Sequence, residues 1–517
     1  MFIGRENELN VLQSFLDDAT QKSLLLYGKR RIGKTELIRE LFRRNNKKYI
    51  YFECIKDSLK ANIDGLIDVL IQNKILEQKV SATSFDELFY FIKITQKPCT
   101  IVIDEYPYLY EFTDGKIIDS QFQKIIDNHL TQNKLIITGS NVSVMNSLLS
   151  ESNALFGRFN KKLLLRELPY TKTQLFYPDK TIYEKIGFHS IFGGSPFVNK
   201  AINPRLSLEE NIKSTFLDEN SDIYTYCNYI LFTDVASSMN INGLCNILRN
   251  GKKSCAEIEN SLSVERNGGM NKKLATLIEM ELISKVQPIN KLGNNKASKY
   301  EINDNAIRFF YSFVYPNKSF LIKFGVDFFY DNFIKDQLTT FISHRFEEMV
   351  RNYFISQVSE RKITNVINVG SYSYDDPKTK TSGEFDVAML LTNEKYKIVE
   401  VKYYKDGNIL TTKEMNVEQA QVNSIRELKI DSLAFICTSG YEKNNAYECI
   451  DINNLYSWYN IPWNYFRENT TRDYFIVSCF IFLSITCLFS SSAMMSFVLM
   501  PIWTIKTMTW YTRSLIS

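Results

Sequence analysis

Histidine is scarce in this sequence of 517 residues, which contains three, and its nine cysteines include no CxxC pair. The histidines, His129, His189 and His344, lie far apart along the chain. This scarcity argues against a histidine-rich metal site and against a Ser-His-Asp triad. The single cysteines exclude a zinc ribbon and a disulfide framework, and they fit reduced thiols in a cytoplasm. Any chemistry must therefore come mostly from carboxylates, lysine, arginine and backbone amides.

The sequence also lacks a charged tail and an amino-terminal signal peptide. Its net charge of +4 is spread over 62 basic and 58 acidic side chains, so any contact with nucleic acid needs a local patch. The opening residues, MFIGRENEL, are already polar and amphipathic, which a secretory signal is not. We therefore expect a cytoplasmic protein, and its length predicts about three or four domains.

The last segment, residues 461–517, differs in composition from everything before it. No charged residue occurs from 474 to 505, and a helix over that stretch could span the ~30 Å hydrocarbon core of a membrane. Three serines at 490–492 and Pro501 interrupt it. The segment is interpreted either as a membrane anchor or as an appendage that is not part of the native protein.

The amino-terminal region, residues 1–165, alternates apolar runs with amphipathic helical patterns, which is typical of a parallel α/β sheet. The pattern predicts strands at 23–27, 49–54, 100–104 and 135–139. Helices are predicted at 34–44, 58–75 and 121–130. We therefore predict a doubly wound α/β domain.

A phosphate-binding motif lies between the first predicted strand and the first predicted helix. Residues 28–35 read GKRRIGKT, which matches GxxxxGK[ST] in the required strand-to-helix context. Glycines there let successive N–H groups face phosphates, the lysine reaches the β- and γ-phosphates, and the threonine ligates Mg²⁺. We expect ATP and Mg²⁺ to bind the motif and the residue after it: Gly28, Lys29, Arg30, Arg31, Ile32, Gly33, Lys34, Thr35 and Glu36.

Polar residues follow two other predicted strands. Asp104 ends the apolar run TIVID, where it can hold Mg²⁺, and Glu105 after it can act as a general base on the attacking water. Ser140 and Asn141 follow the strand LIITG and either sense the γ-phosphate or form an ordinary turn. Arg158, in LFGRFN, is a candidate for stabilising transition-state charge, although a surface arginine is the commoner finding.

Six motifs occur in an order that resembles a known family: FIGRENEL, GKRRIGKT, TIVIDEYPYL, LIITGSNVSVM, LFGR and FGGSP. The sequence resembles the archaeal-type ATPases, a branch of the STAND class of AAA-related P-loop NTPases, over about residues 1–460. The resemblance implies ATP use, a winged helix and a carboxy-terminal domain like restriction endonucleases. It does not extend to the apolar tail.

Two regions lie between the predicted ATPase domain and the carboxy-terminal domain. Residues 166–235 are interpreted as a helical extension, and residues 236–315 as a winged helix, with helix, turn, helix and two short strands. This module either binds DNA through its lysines or packs as a brace on the ATPase domain. The lysines concerned are Lys272, Lys273, Lys291, Lys296 and Lys299.

The region 316–460 is predicted to be a second, smaller α/β domain. It contains a predicted hairpin, with Asp386 on one strand and Glu400 and Lys402 on one face of the other. This spacing resembles the PD-(D/E)XK nuclease core, in which two carboxylates hold a divalent metal and a lysine orients water. Glu347 on the preceding helix is a candidate third ligand. The alternative is a surface hairpin with ordinary alternating charge.

Two functions are therefore expected for the whole chain. In the first, ATP binding and hydrolysis control a winged helix and a metal-dependent, nuclease-like domain that acts on DNA. In the second, ATP drives signalling or homo-oligomeric assembly, and the carboxy-terminal domain binds a partner without cleaving nucleic acid.

Overall fold

Five parallel strands form the sheet of the amino-terminal region. A computed structural model describes residues 2–233, 241–262, 269–376, 381–405 and 407–456 of the chain. The sheet has the strand order β2-β3-β4-β1-β5. Its strands are β1 (Ser23–Tyr27), β2 (Ile50–Glu53), β3 (Thr100–Asp104), β4 (Lys134–Gly139) and β5 (Lys161–Leu164). All neighbouring pairs are parallel, which confirms the predicted fold class.

Helices cover both faces of this sheet. They are α1 (Glu6–Asp17), α2 (Lys34–Asn45), α3 (Leu59–Gln72), α4 (Phe85–Ile94), α5 (Gly115–Asn128) and α6 (Val142–Ser147). Alternation along β1 sends Leu24 and Leu26 to the core shared with α1 and α2, and Leu25 to the core shared with α3, α4 and α5. Both faces are therefore buried, as a parallel sheet requires.

Side-chain caps fix where α3, α4 and α5 begin. Ser58 and Ser84 accept hydrogen bonds from backbone N–H groups at the starts of α3 and α4, at 3.2 and 3.1 Å. Asp114 caps α5 in the same way, accepting from the N–H of Lys116 at 2.9 Å. The prediction that this third helix begins at residue 121 was therefore wrong, since the cap starts it at Gly115.

The region 166–235 is helical, as expected, over its described residues. Its helices are α7 (Tyr170–Thr173), α8 (Ile182–Phe192), α9 (Pro196–Lys200), α10 (Leu208–Thr215) and α11 (Asp222–Thr233). Reciprocal capping boxes, Thr181 with Glu184 and Ser207 with Glu210, begin α8 and α10.

A middle module, residues 241–304, follows. Its elements are α12 (Ile241–Leu248), β6 (Lys253–Ser254), α13 (Cys255–Leu262), α14 (Gly269–Glu279), β7 (Ile283–Val286) and β8 (Lys299–Ile302). The three strands form an antiparallel sheet in the order β6-β8-β7. The three helices and the strands β7 and β8 follow one another as predicted, and β6 was not predicted.

The carboxy-terminal region is built on a mixed sheet in the order β13-β12-β11-β10-β9. Its helices are α15 (Asn305–Phe309), α16 (Lys318–Phe324), α17 (Val326–Phe333), α18 (Lys335–Ser359) and α19 (Thr412–Ser424). Its strands are β9 (Val366–Asp376), β10 (Thr381–Leu391), β11 (Tyr396–Lys402), β12 (Ile430–Cys437) and β13 (Glu448–Ile450). Strands β10 and β11 pair antiparallel, so the predicted hairpin is present.

The turn between β7 and β8 of the middle module lies against β9. The Asn290 side chain donates to the carbonyl of Ser373 at 2.8 Å and accepts from its N–H at 3.1 Å. Beside it, Lys291 donates to the Ser373 hydroxyl at 3.2 Å. Ile289 approaches so closely that a Cβ on Gly370 would lie 2.5 Å from its methyl group. The turn is therefore docked on the carboxy-terminal sheet.

One cluster of buried apolar residues runs from Tyr170 to Tyr456. It includes side chains of the helical extension, the middle module and the carboxy-terminal sheet, so these predicted domains share a core. Within the described parts of the chain, none of the helices combines the length and the hydrophobicity that spanning a bilayer requires. The predicted tail, 461–517, with its candidate span 474–505, lies outside the described residues.

His189 on α8 should make the fold sensitive to acid. Its Nδ1 lies 3.0 Å from the Thr173 hydroxyl, and burial lowers the pKa of the imidazole to about 4. The imidazole of the unfolded chain takes up a proton near pH 6.5, whereas the buried imidazole of the folded chain does so only near pH 4. The free energy of unfolding is therefore highest above pH 6.5 and falls as the pH drops toward 4. The wild type should lose up to about 1.4 kcal/mol more per pH unit in this window than His189→Asn.

Urea unfolding at half-unit pH steps measures the two slopes. The amide that this substitution introduces keeps a polar group near Thr173, so any packing loss is the same at every pH. Parallel pH profiles for the two proteins would contradict the assignment of a neutral, buried His189.

Candidate functional site

The loop between β1 and α2 has the backbone that a phosphate-binding loop needs. Gly28 and Gly33 adopt φ values of +154° and +95°, and Gly33 directly precedes α2. A Cβ on Gly28 would lie 2.3 Å from the carbonyl oxygen of Leu165, so only glycine fits there. The loop therefore leads directly into the amino-terminal end of α2, where backbone N–H groups can bind an anion.

Lys34 begins α2, and its ammonium group points back into the loop. It donates to the carbonyl oxygens of Gly28 at 2.8 Å and Lys29 at 3.2 Å, and the residue is 7% exposed. The loop therefore holds a buried cation beside its own N–H groups. This arrangement places positive charge where a polyphosphate would bind.

Thr35 and Asp104 bring two side-chain oxygens together at the carboxyl edge of the sheet. The Thr35 hydroxyl donates to Asp104 Oδ2 at 3.1 Å, and the Tyr51 hydroxyl donates to the same oxygen. Burial raises the pKa of Tyr51, so this hydroxyl stays protonated. A hydroxyl and a carboxylate in contact are oxygen donors of the kind that Mg²⁺ prefers, so the predicted pair fits this ion.

Glu105 is held by Ser140 at the end of the neighbouring strand. Its carboxylate accepts hydrogen bonds from the Ser140 N–H at 3.1 Å and the Ser140 hydroxyl at 2.8 Å. The Glu105 backbone has a φ of +50°, which is uncommon for a residue with a side chain. Asn141 instead caps α6 by accepting from the N–H of Val144 at 3.2 Å. Ser140, and not Asn141, therefore contacts Glu105, the predicted general base.

The other predicted side chains of the loop point in different directions. Arg30 donates to the Tyr108 hydroxyl at 2.6 Å, and the Arg31 guanidinium lies 4.0 Å from the centre of the Phe197 ring. Glu36 pairs with Arg39 at the surface. Ile32 is buried, and Lys29 is turned away from the phosphate-binding groups into a buried contact with Glu167 and Asp304.

Arg158 is not brought to this edge of the sheet. Its carbonyl accepts from the hydroxyl of Ser23, the first residue of β1, whereas the phosphate loop follows the last residue of that strand. Its guanidinium is bound by Asp127, with Nε 3.1 Å from each carboxylate oxygen. Arg158 therefore lies at the opposite end of β1 from Lys34.

A pocket of about 290 Å³ opens beside the loop, and part of its wall could not be predicted from the sequence. Besides loop residues and Glu105, its wall includes apolar side chains from the amino terminus and the helical extension: Phe2, Ile3, Phe176, Pro196 and Phe197. Arg5 and Lys200 add positive charge. The motifs FIGRE and FGGSP were the available signal, but periodicity alone could not show that they meet.

The second predicted constellation lies on α18, β10 and β11. Lys402 donates to Glu400 and to Glu418 of α19, at 2.8 Å in each case. Burial, and then the nearby Glu347 carboxylate, raise the pKa of Asp386 to about 6. In the structure Glu347 of α18 lies near Asp386 of β10, and Glu400 pairs with Lys402 on β11.

Lys252 of the middle module reaches this acidic group. Its ammonium lies 3.0 Å from Glu384 Oε1 and 3.7 Å from Asp386 Oδ1. Within the described parts of the chain, no three His, Cys, Asp or Glu side chains are arranged to hold a metal ion. Lysines accompany these carboxylates, Lys252 beside Glu384 and Lys402 beside Glu400.

Some of the lysines predicted to bind DNA contact other residues, and others are exposed to solvent. Lys291 is engaged by Ser373, and Lys299 borders a cleft of about 670 Å³ between the middle module and the carboxy-terminal sheet. Lys272 and Lys296 are exposed, and Lys273 is half-buried. This cleft carries both basic and acidic side chains, including Arg249, Arg345, Glu347 and Asp386.

Two family descriptions and one related sequence match parts of the chain. Residues 2–194 match a family described as an ATPase domain predominantly from Archaea. Residues 310–420 match a family described as archaeal and bacterial proteins of unknown function. An uncharacterized protein of Methanocaldococcus jannaschii is 26% identical over 408 residues, which cover 78% of this chain and 88% of that protein. The first of these matches supports an ATPase-type P-loop function.

Two solved structures resemble the chain at low identity. The Walker-type ATPase of Pyrococcus abyssi is 17% identical, with a TM-score of 0.45, and the match covers 60% of this chain and 96% of that one. The ORC2 protein of Aeropyrum pernix, in complexes with ADPNP and ADP, is 11% identical with a TM-score of 0.41. That match covers 60% of this chain and 92% of the ORC2 chain.

Replacing Lys34 should weaken nucleotide binding. Lys34→Ala removes a charge-assisted contact to phosphate, so the Kd for a fluorescent ATP analogue should rise roughly 10- to 100-fold. Arg158→Ala is the matched control, because it removes a cation from the opposite end of β1. Equal affinities for Lys34→Ala and the wild type would contradict the site.

Proposed function

We propose that this chain binds and hydrolyses ATP with Mg²⁺ and uses the nucleotide state to control its carboxy-terminal domain. The observation that carries the proposal is the meeting of Lys34, Thr35, Asp104 and Glu105 at one edge of a parallel sheet, with Ser140 on the acid. This set contains a phosphate-binding cation, two metal ligands and a base. The family matched by residues 2–194 supports the same activity.

In the proposed reaction, the loop N–H groups and Lys34 bind the β- and γ-phosphates. Thr35 and Asp104 would hold Mg²⁺, which supplies charge stabilisation at the phosphate oxygens. Glu105 accepts a proton from the attacking water, and both hydrogen bonds from Ser140 go to one of its two carboxylate oxygens, Oε2. The apolar wall formed by Phe2, Phe176 and Phe197 fits a nucleobase beside the loop.

Replacing Glu105 should separate binding from hydrolysis. Glu105→Gln keeps a side chain of the same size that can still accept from Ser140, but it removes the base, so kcat should fall roughly 100- to 10,000-fold with nucleotide affinity little changed. Phosphate release under saturating ATP measures kcat. Glu111→Gln, which alters an acid paired with Lys56 at the surface, should retain wild-type turnover. Turnover by Glu105→Gln near the wild-type rate would exclude Glu105 as the base.

For the carboxy-terminal domain we propose an action on DNA that depends on Asp386, Glu400 and Lys402. The observation in favour is their convergence on two paired strands, with Glu347 against Asp386. The alternative is a domain that binds a partner without cleaving nucleic acid. The pairing of Lys402 with Glu400 and Glu418 favours this alternative, since it neutralises the groups that cleavage would use.

DNA cleavage distinguishes these two functions. If the domain is a nuclease, the wild type should cleave DNA with Mg²⁺ or Mn²⁺, and Asp386→Asn and Lys402→Met should each lose roughly 100-fold or more of this activity. Lys397→Met is the matched control, because Lys397 lies on the same strand but pairs with Glu448. Cleavage that is absent from the wild type, or equal in all four proteins, would favour the partner-binding alternative.

A further inference from the structure

Lys29 belongs to the phosphate-binding loop by sequence but to a different contact by position. Its ammonium donates to Asp304 Oδ2 at 2.6 Å and also pairs with Glu167. Its side chain is 7% exposed, and it is not among the residues that line the pocket beside the loop. One residue thus joins the loop to a carboxylate of the middle module, 275 positions away.

The two carboxylates that hold Lys29 are themselves fixed by other groups. Asp304 is 1% exposed, accepts from the N–H of Ile307 at 3.1 Å and accepts from the Tyr226 hydroxyl at 3.3 Å. Glu167 accepts from the N–H of Gly194 at 3.1 Å. Both positions are therefore set by surrounding structure, so the Lys29 ammonium cannot shift far without losing a partner.

Lys29 and Asp304 form a charged pair in a setting that makes separation costly. Lys29 outweighs burial and lowers the pKa of Asp304, whereas burial raises the pKa of Glu167 to about 7. Burial acts to lower the pKa of Lys29, but Asp304 and then Glu167 outweigh it and raise this pKa well above the usual range. The lysine is therefore charged, and a buried ion pair that loses one partner leaves an uncompensated charge. The phosphate-binding loop and the middle module are therefore joined by a buried ion pair that is either intact or broken.

The backbone of Lys29 is in contact with the nucleotide-binding cation. Lys34 donates to the carbonyl oxygens of Gly28 and Lys29, and phosphate groups would compete with these carbonyls for its ammonium. Any move of Lys34 toward phosphates removes a donor from the residue whose side chain holds Asp304. Nucleotide binding and the contact with the module therefore act on the same residue.

We propose that Lys29 is a positioning residue that couples the nucleotide site to the middle module through Asp304, so that nucleotide binding weakens docking of the module. The proposal rests on the proposed ATP-binding function and adds a route of regulation to it. Because coupling between two sites is reciprocal, breaking the contact with Asp304 must in turn strengthen nucleotide binding. If the ion pair were merely structural, breaking it would weaken nucleotide binding or leave it unchanged.

Asp304→Asn tests this coupling in the full chain. Asparagine caps a helix about as well as aspartate, so the bond from Ile307 can be kept while the charge is lost. Its Kd for ADP and for a non-hydrolysable ATP analogue should fall roughly fivefold or more, the lower end of typical coupling between sites. Glu279→Gln is the matched control, because Glu279 of the middle module accepts from the Ser143 hydroxyl of α6 at 3.3 Å and not from Lys29, and its Kd should stay at the wild-type value.

Hydrogen exchange gives a second measurement, and its wild-type part does not depend on how well the variant folds. In wild-type protein, saturating nucleotide should speed exchange of backbone amides in residues 299–305, the segment that contains β8 and Asp304. In Asp304→Asn that segment should exchange at one rate with and without nucleotide. Thermal unfolding of each variant checks that it is folded.

The outcomes separate this proposal from the one on which it rests. A wild type that binds no nucleotide would overturn the proposed function itself. A wild type that binds nucleotide with no faster exchange in 299–305 would overturn the coupling alone, as would a folded Asp304→Asn whose affinity is unchanged or reduced.

Discussion

Parallel pairing of five strands is the constraint on which the candidate nucleotide site depends. It brings the carboxyl ends of β1, β3 and β4 to one edge of the sheet, so that Lys34, Asp104 and Ser140 meet although they are far apart in sequence. The same edge receives Glu167, which lies shortly after β5. The middle module then contacts this edge through Asp304. The phosphate-binding groups and the module thus share a border because the strands all run one way.

Local patterns sufficed to predict much of the amino-terminal fold. The strands at 23–27 and 100–104 have the predicted bounds, because each is a short apolar run between polar residues. Strand β5 was missed because KKLL has two lysines and pairs only with β1 at the edge of the sheet. Helix α5 began earlier than predicted because its cap, Asp114, lies before the apolar periodicity becomes regular.

The side-chain partners could be predicted only where the sheet itself brings them together. Thr35 contacts Asp104 because the phosphate-binding motif fixes the position of Thr35 and the end of β3 fixes that of Asp104. Nothing near Lys29 in sequence distinguishes it from a phosphate-facing lysine, since its partners lie 138 and 275 positions away. Lys252 of the middle module and Glu418 of α19, which contact charged residues of the carboxy-terminal sheet, were missed for the same reason. Such contacts are set by how regions pack, which periodicity does not show.

The docked turn of the middle module limits what its lysines can do in the described conformation. The polar atoms of Asn290 and Lys291 bond to Ser373 on β9. A nucleic acid that binds this turn must compete with that strand for the same groups. The apparent Kd equals the intrinsic Kd divided by the fraction of molecules in which the turn is undocked. If one molecule in a hundred were undocked, a nanomolar intrinsic affinity would be measured as roughly 100 nM.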